Sequence, residues 1–301
     1  MKKFFLPTDQ SYSRAPLVGA ACGFLLVAAS IALSAHSFLA FFSFEGLMIV
    51  GGGVIAVAYM SYPAVEVRKA LDAVGGMFHE PKTTHDKLHR DMMEIIAWSR
   101  LIKEKGMRDL ESRIGRHGDP FVKYGLNMVV SQYPPKDVRS MLVTAADACY
   151  ERDYVPVDIL QSMASHAPAF GMVGTLVGMV TMLCSLSDNV TSIGSSLAVS
   201  FLSTLYGVVS ARMIYMPAAS KLRQEVDNRR FRSQLITEGM VMLVSNRTPM
   251  YIQDRLNGFL RPETHDYFNA EAKTPPVNIN LNRPELKIPK VAKPRLRAVG
   301  A

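Results

Sequence analysis

The sequence predicts an all-α integral membrane protein with four transmembrane helices, a large helical cytoplasmic loop and a cytoplasmic C-terminal helix. Two observations carry that class. Apolar residues collect in four blocks, 17–39, 47–62, 159–186 and 197–216, each near the ~20 residues a helix needs to cross a hydrocarbon core. Lys and Arg are absent from 36–45 and 185–196, yet crowd the other flanks: Lys2, Lys3 and Arg14, then Arg68 and Lys69, then Lys221, Arg223, Arg229, Arg230 and Arg232. The excess of cations on cytoplasmic flanks of membrane helices puts both termini and the middle segment on one side, inside.

Taken in order, residues 1–16 form a cytoplasmic N-terminus. They lack the short apolar run and small-residue cleavage site of a signal peptide. Residues 17–62 hold transmembrane helices 1 and 2, the second interrupted by Gly51-Gly52-Gly53, which membrane helices tolerate. Residues 63–157 form a polar, helical cytoplasmic loop. Met92, Ile95, Ile96, Ser99 and Ile102 fall at helical spacing, and Gly106 ends or interrupts that helix. Asp119-Pro120 reads as a helix start, and Tyr133-Pro134-Pro135 as a turn before a further helix over 136–151. Transmembrane helices 3 and 4 occupy 158–217, and a basic helix continues over 218–260. The tail, 261–301, mixes proline with Lys and Arg and is expected to be disordered.

Hydrophobic residues make up 49% of the chain against 20% charged. The net charge of +8 follows from the cytoplasmic flanks and calls for no nucleic acid. Cys22, Cys149 and Cys184 are odd in number and far apart, so neither a disulfide framework nor a zinc site follows. His85 and His89 share a helix face but have no third ligand in view. His166 reads as an interfacial histidine, and Asn189-Val190-Thr191 as an incidental glycosylation sequon. No phosphate loop, nucleophile elbow or triad pattern is present, and an enzyme is not expected.

The third and fourth blocks each carry one face of small and hydroxyl residues. Gly171, Gly174, Thr175, Gly178, Thr181 and Ser185 fall at spacings of three and four, as do Ser200, Ser203, Thr204, Gly207, Ser210 and Ala211. Small residues at that spacing let membrane helices approach closely. At 1.5 Å per residue, Thr175 lies about 18 Å below the outer end of its helix and Thr204 about 15 Å below its own, which predicts two hydroxyls at one level. Pro168 and Pro217 deprive the carbonyls of Ala164 and Met213 of their helical partners. Hydroxyls and free carbonyls are hard ligands suited to a dehydrating cation. Neither helix has an Asp or Glu at mid-depth, so an ion carrier would need its carboxylate from elsewhere.

Here a resemblance becomes specific. The run Ala167-Pro168-Ala169-Phe170-Gly171-Met172-Val173-Gly174-Thr175-Leu176, with Thr204-Leu205-Tyr206-Gly207 and Met216-Pro217-Ala218-Ala219-Ser220-Lys221-Leu222, resembles the MotA/PomA family of flagellar stator subunits. The resemblance implies a homopentamer in the bacterial inner membrane around a MotB/PomB-type dimer, whose single span brings the missing Asp. It implies an ion pathway through Thr175, Thr204, Pro168, Pro217, Gly171 and Tyr206, with no cofactor beyond the translocated Na+ or H+. Thr at 175 and 204 favours sodium, protons being the alternative. The segment Lys103-Glu104-Lys105-Gly106-Met107-Arg108-Asp109-Leu110-Glu111 resembles the family's torque segment, and Lys103 and Glu111 match the positions that engage the rotor's switch protein FliG. Lys103 stands where Arg is more usual, which keeps the charge but loses the bidentate fork. Arg212 inside the fourth block and the long basic tail depart from the pattern. Two rival readings remain: an ExbB/TolQ-like energiser of envelope transport, which has three spans and no torque segment, and a non-conducting membrane scaffold.

Overall fold

The computed structural model describes residues 41–76, 79–81, 84–114, 117–184 and 190–260, the strand Gln10–Tyr12, and helical positions Cys22, Gly23, Leu25, Ala29 and Leu33. The first expected span, 17–39, thus lies largely outside the described residues, as do 185–189 and the tail 261–301. Three of the described helices are long and apolar enough to cross a membrane.

Apart from one small strand pair, the described chain is helical. Strand β1 (Gln10–Tyr12) pairs antiparallel with β2 (His79–Pro81), Ser11 opposite Glu80. No apolar–polar alternation in either segment announces it.

The second block becomes α1 (Phe44–Leu47), a π-helical turn (Met48–Gly52) and α2 (Gly53–Ser61) in one continuous apolar run. Ser43 starts it by accepting the Gly46 N–H at 3.2 Å, the usual service of a hydroxyl at a helix N-terminus. It stops because Pro63 excludes the α region for Tyr62, which turns extended at φ −134° and ψ 155°. Helix α3 (Ala64–Gly76) follows, then α4 (Thr84–Lys105), α5 (Met107–Ile114) and α6 (Pro120–Val130). Gly106 separates α4 from α5 at φ +84°, a left-handed backbone that glycine adopts without a Cβ clash. Asp119 caps α6, its Oδ1 accepting the Phe121 N–H at 2.9 Å, with Pro120 in the first turn. Both junctions match the sequence expectation.

Helix α7 (Pro135–Cys184) corrects it. The expected break between 151 and 159 is absent, and 50 residues form one rod. Pro156 removes one ladder hydrogen bond, but it is buried with Val157, Ile159, Leu160 and Met163. Burying such side chains is worth about 1.5–3 kcal/mol each, enough to hold the helix through the defect. Helix α8 (Val190–Val209) returns along α7, passes through a second π-helical turn (Ser210–Tyr215) and continues as α9 (Met216–Val244). The expected helix to Leu260 is interrupted at 245–248, and a separate helix α10 (Pro249–Asn257) follows. Its start is set by Thr248, whose Oγ1 accepts the Tyr251 N–H at 3.3 Å.

Two cores result. One joins α2, α3, the middle of α7 and the head of α9 through Val54, Ala58, Val67, Leu160, Met163 and Leu222. The other joins α4, α5, α6, the first turns of α7, the far half of α9 and α10 through Met92, Ile95, Leu110, Leu142, Leu235 and Ile252. Between them α7 and α9 run antiparallel. Arg139 grips Glu238 with two hydrogen bonds of 2.5 and 2.9 Å, Arg230 reaches Asp147 at 2.9 Å, and Arg229 reaches Asp153 at 3.2 Å. Exposed pairs of this kind contribute at most about 1 kcal/mol each, so their main effect is to fix register.

Candidate functional site

The α7–α8 seam is closed by glycine. A Cβ on Gly207 would stand 2.6 Å from the Ala167 carbonyl oxygen, and one on Gly171 would stand 3.1 Å from the Thr204 Cα. At Gly174 and Gly178 the obstacles are the side chains of Ser203 and Ser200, at 2.3 Å and 2.1 Å. Glycine on α7 thus receives serine from α8. Ser196, Ser200 and Ser203 are all buried: Ser203 donates to Val199 O of its own helix at 2.7 Å, while the Ser200 hydroxyl lies 3.2 Å both from Ser196 O of its own helix and, across the seam, from Thr175 O. These serines pack the seam. Thr175 and Thr204 sit at its margin and are half-buried.

The two threonines are not at one level. Thr175 lies opposite Ser200, and Thr204 opposite Gly171. The four residues from 171 to 175 make an offset of about 6 Å along the seam. Depth counted from helix ends missed this because the two helices cross with a stagger that only their contacts reveal. The Thr175 hydroxyl donates to Met172 O at 2.6 Å, which leaves its oxygen lone pairs outward as acceptors.

Pro168 is half-buried inside α7, and Pro217 follows the π turn in the first turn of α9. The π turn changes the hydrogen-bond ladder from i+4 to i+5 immediately before Pro217, which has no N–H to donate to either ladder. Arg212, on that turn, is exposed. Tyr206 takes part in a contact the sequence did not suggest. Its hydroxyl donates to Phe41 O at 2.6 Å and accepts the Ser43 N–H at 2.9 Å, so it fastens the start of α1 to α8. Beside it, a Cβ on Gly46 would stand 2.9 Å from the Ser203 hydroxyl.

Lys103 and Glu111 are both exposed, one near the end of α4 and the other on α5, with Gly106 between them. They belong to the second core's module, not to the seam. That module is pinned by a cluster that sequence reasoning missed. Arg232 of α9 holds Asp91 of α4 with bonds of 2.5 and 2.9 Å, and also bonds Asp119 at the head of α6. Burial disfavours charge on Asp119, but the Arg232 guanidinium, helped by the N–H groups of Phe121 and Val122, holds its carboxyl below the ordinary value. Asp91 and Asp119 likewise outweigh burial and raise the Arg232 pKa. The partners lie 141 and 113 residues from Arg232, a separation at which no local sequence signal exists.

Residues 114–234 match the family model described as the MotA/TolQ/ExbB proton channel family. The chain is 28% identical over 256 residues to Motility protein A of Borreliella burgdorferi, covering 85% of this chain and 97% of that one. It is 30% identical over 226 residues to Motility protein A of Cereibacter sphaeroides, covering 70% of this chain and 87% of the relative. The fold matches the flagellar MotAB stator complex of Bacillus subtilis with a TM-score of 0.73 at 23% identity, over 85% of this chain and 98% of that one. A glycine-closed helical hairpin joined to a remote helical module, together with this identity over most of a relative's length, makes the chain a member of the MotA/PomA family of flagellar stator subunits, within the MotA/TolQ/ExbB proton channel family.

Proposed function

We propose that this protein, with a MotB/PomB-type single-span partner, forms an ion channel of the bacterial inner membrane and converts ion flow into torque on the rotor. Four spans cross the membrane, both termini face the cytoplasm, and the module of α4, α5, α6 and α10 lies in the cytoplasm. Five-fold copies of the chain surround the partner, whose intramembrane Asp supplies the carboxylate that α7 and α8 lack. Sodium is the favoured ion and the proton the alternative. Thr175 and Thr204 act as acceptors for the passing ion, and Lys103 and Glu111 engage the switch protein FliG.

One observation carries this reading. The seam's glycines and serines are consumed in packing, while Thr175 and Thr204 remain at its margin with acceptor capacity and no resident acid. Hydroxyl oxygens so placed lower the cost of stripping water from a small cation. The test is flux in vesicles containing the co-purified complex. Thr175→Ala and Thr204→Ala are expected to weaken the sodium dependence of flux at unchanged protein level. An identical sodium response in both variants would sink the ligand role, and no cation flux from the wild-type complex would sink the channel itself.

A further inference from the structure

Beside the Arg232 cluster, a second set of contacts converges on His117, between the end of α5 and the head of α6. The His117 N–H reaches the carbonyl of Ile114, the last residue of α5, at 3.1 Å. The imidazole Nδ1 accepts the Asp119 N–H at 3.2 Å, and Nε2 lies 3.1 Å from Glu94 Oε2 of α4. Trp98, one turn further along α4, meets the imidazole edge-on, with centroids 5.8 Å apart and planes at 73°. The His117 side chain is 22% exposed and that of Glu94 46%, so protons from solvent reach the pair.

These contacts fix the tautomer. A ring nitrogen that accepts a backbone N–H carries no proton, so Nδ1 is bare and Nε2 donates to Glu94. The neutral imidazole thus joins α4 to the head of α6 through both nitrogens. A second proton has one place to go, Nδ1, where it opposes the Asp119 N–H. The imidazolium keeps Glu94 as an ion pair and gives up Asp119. The charged groups around the ring are Glu94 of α4 and Asp119 before α6, which favour the cation. Arg232 of α9, bonded to Asp119 and to Asp91 of α4, opposes it. Together these bonds let the 117–119 stretch grip α4 at Glu94 and Asp91, one turn apart. Glu111 lies one turn before Ile114 on α5, so the grip closes directly behind the segment assigned to the rotor.

We propose that His117 is a positioning residue for the rotor-facing module: neutral, it latches the head of α6 to α4, and protonated, it releases that head. Histidine is the side chain whose charge changes between about pH 5 and 8, so torque responds to cytoplasmic acidity separately from any effect of pH on the ion path. The effect on torque rests on the rotor reading proposed above. The latch is a property of the module and does not.

Trp98 is the only tryptophan of the chain, and an imidazolium beside an indole quenches its fluorescence. The purified stator complex is titrated from about pH 8 to 5, and emission is compared among wild type, His117→Asn, Glu94→Gln and Trp98→Phe. Trp98→Phe defines the partner's background. Asn offers its Oδ1 to the Asp119 N–H but takes up no proton. Wild-type emission is expected to fall on acidification and His117→Asn to stay flat. Glu94→Gln should fall only at lower pH, because the carboxylate that favours the cation is gone. In tethered cells at clamped cytoplasmic pH, torque per unit cation flux should drop in acid for wild type and hold for His117→Asn, with His117→Ala low throughout. Matching emission profiles for wild type and His117→Asn would overturn the latch. So would an equal acid loss of torque per unit flux in those two. If His117→Asn fails to accumulate, an unshifted midpoint in Glu94→Gln overturns it instead. Should Lys103→Glu leave torque untouched, the rotor reading falls, and the emission titration still decides the latch.

Discussion

At Gly207 the seam closes on bare backbone, and the obstacle to any larger residue is the Ala167 carbonyl, 2.6 Å from a built Cβ. A carbonyl in a helix cannot rotate aside. Gly207→Ala should therefore force α7 and α8 apart and cost about 1–3 kcal/mol, read as a lower melting temperature of the purified complex together with altered flux. Gly51→Ala is the control, because nothing lies within 4 Å of that position, and it should behave as wild type. Tyr206 makes a different prediction. Tyr206→Phe strips the partners from Phe41 O and the Ser43 N–H, at about 1–3 kcal/mol, and should lower stability while ion selectivity stays fixed. A selectivity change would put Tyr206 in the ion path after all. The small-residue face was legible because close packing demands glycine at helical spacing. The division of labour within it was not, since packing serines and marginal threonines differ only by which way the helix is turned.

Among the elements, α4, α6 and α9 depend on one guanidinium. Replacing Arg232 by Met leaves Asp91 and Asp119 half-buried without their cation, a loss of about 3 kcal/mol. The sign with pH follows from Asp119, whose carboxyl is held below 3.8. A carboxylate depressed in the folded state stabilises it above the unfolded value, and that contribution is lost as pH falls through the folded value. Melting of the wild-type complex should thus drop further below about pH 4, whereas Arg232→Met should start lower and lose much of that acid dependence. An equal acid dependence in both would remove the cluster from the account. Gly106 and Asp119 could be read from sequence because each acts on its own neighbours. The strand pair, the break after Val244 and the continuity of α7 through Pro156 could not, because contacts distant in sequence decide them.

For the molecule as a whole, seam and charged module are separate bodies of side chains joined by α7 and α9. At 1.5 Å per residue α7 is about 75 Å long, and no loop interrupts it between the seam and the Arg139–Glu238 grip. Lys103 and Glu111 are exposed on the module. Charge reversal at Glu111 should accordingly abolish rotation while cation flux through the vesicle-reconstituted complex persists. Loss of flux as well would mean that Glu111 supports the fold or the pore and not the rotor contact.

The π turn at Ser210–Tyr215 has a bearing on how this chain is compared with its relatives. Each π turn takes in one residue more than an α turn, so everything after it is swung by about 100° relative to an uninterrupted helix. A homologue shortened by a single residue there could drop the π turn for an α turn and still aim Arg230 and Arg232 at Asp147, Asp91 and Asp119, whereas the same deletion in the α-helical stretch that follows would swing them away by about 100°. Gap placement is consequently a geometric variable, and a relative one residue shorter should donate its C-terminal helix successfully only where the missing residue falls between Gly207 and Pro217.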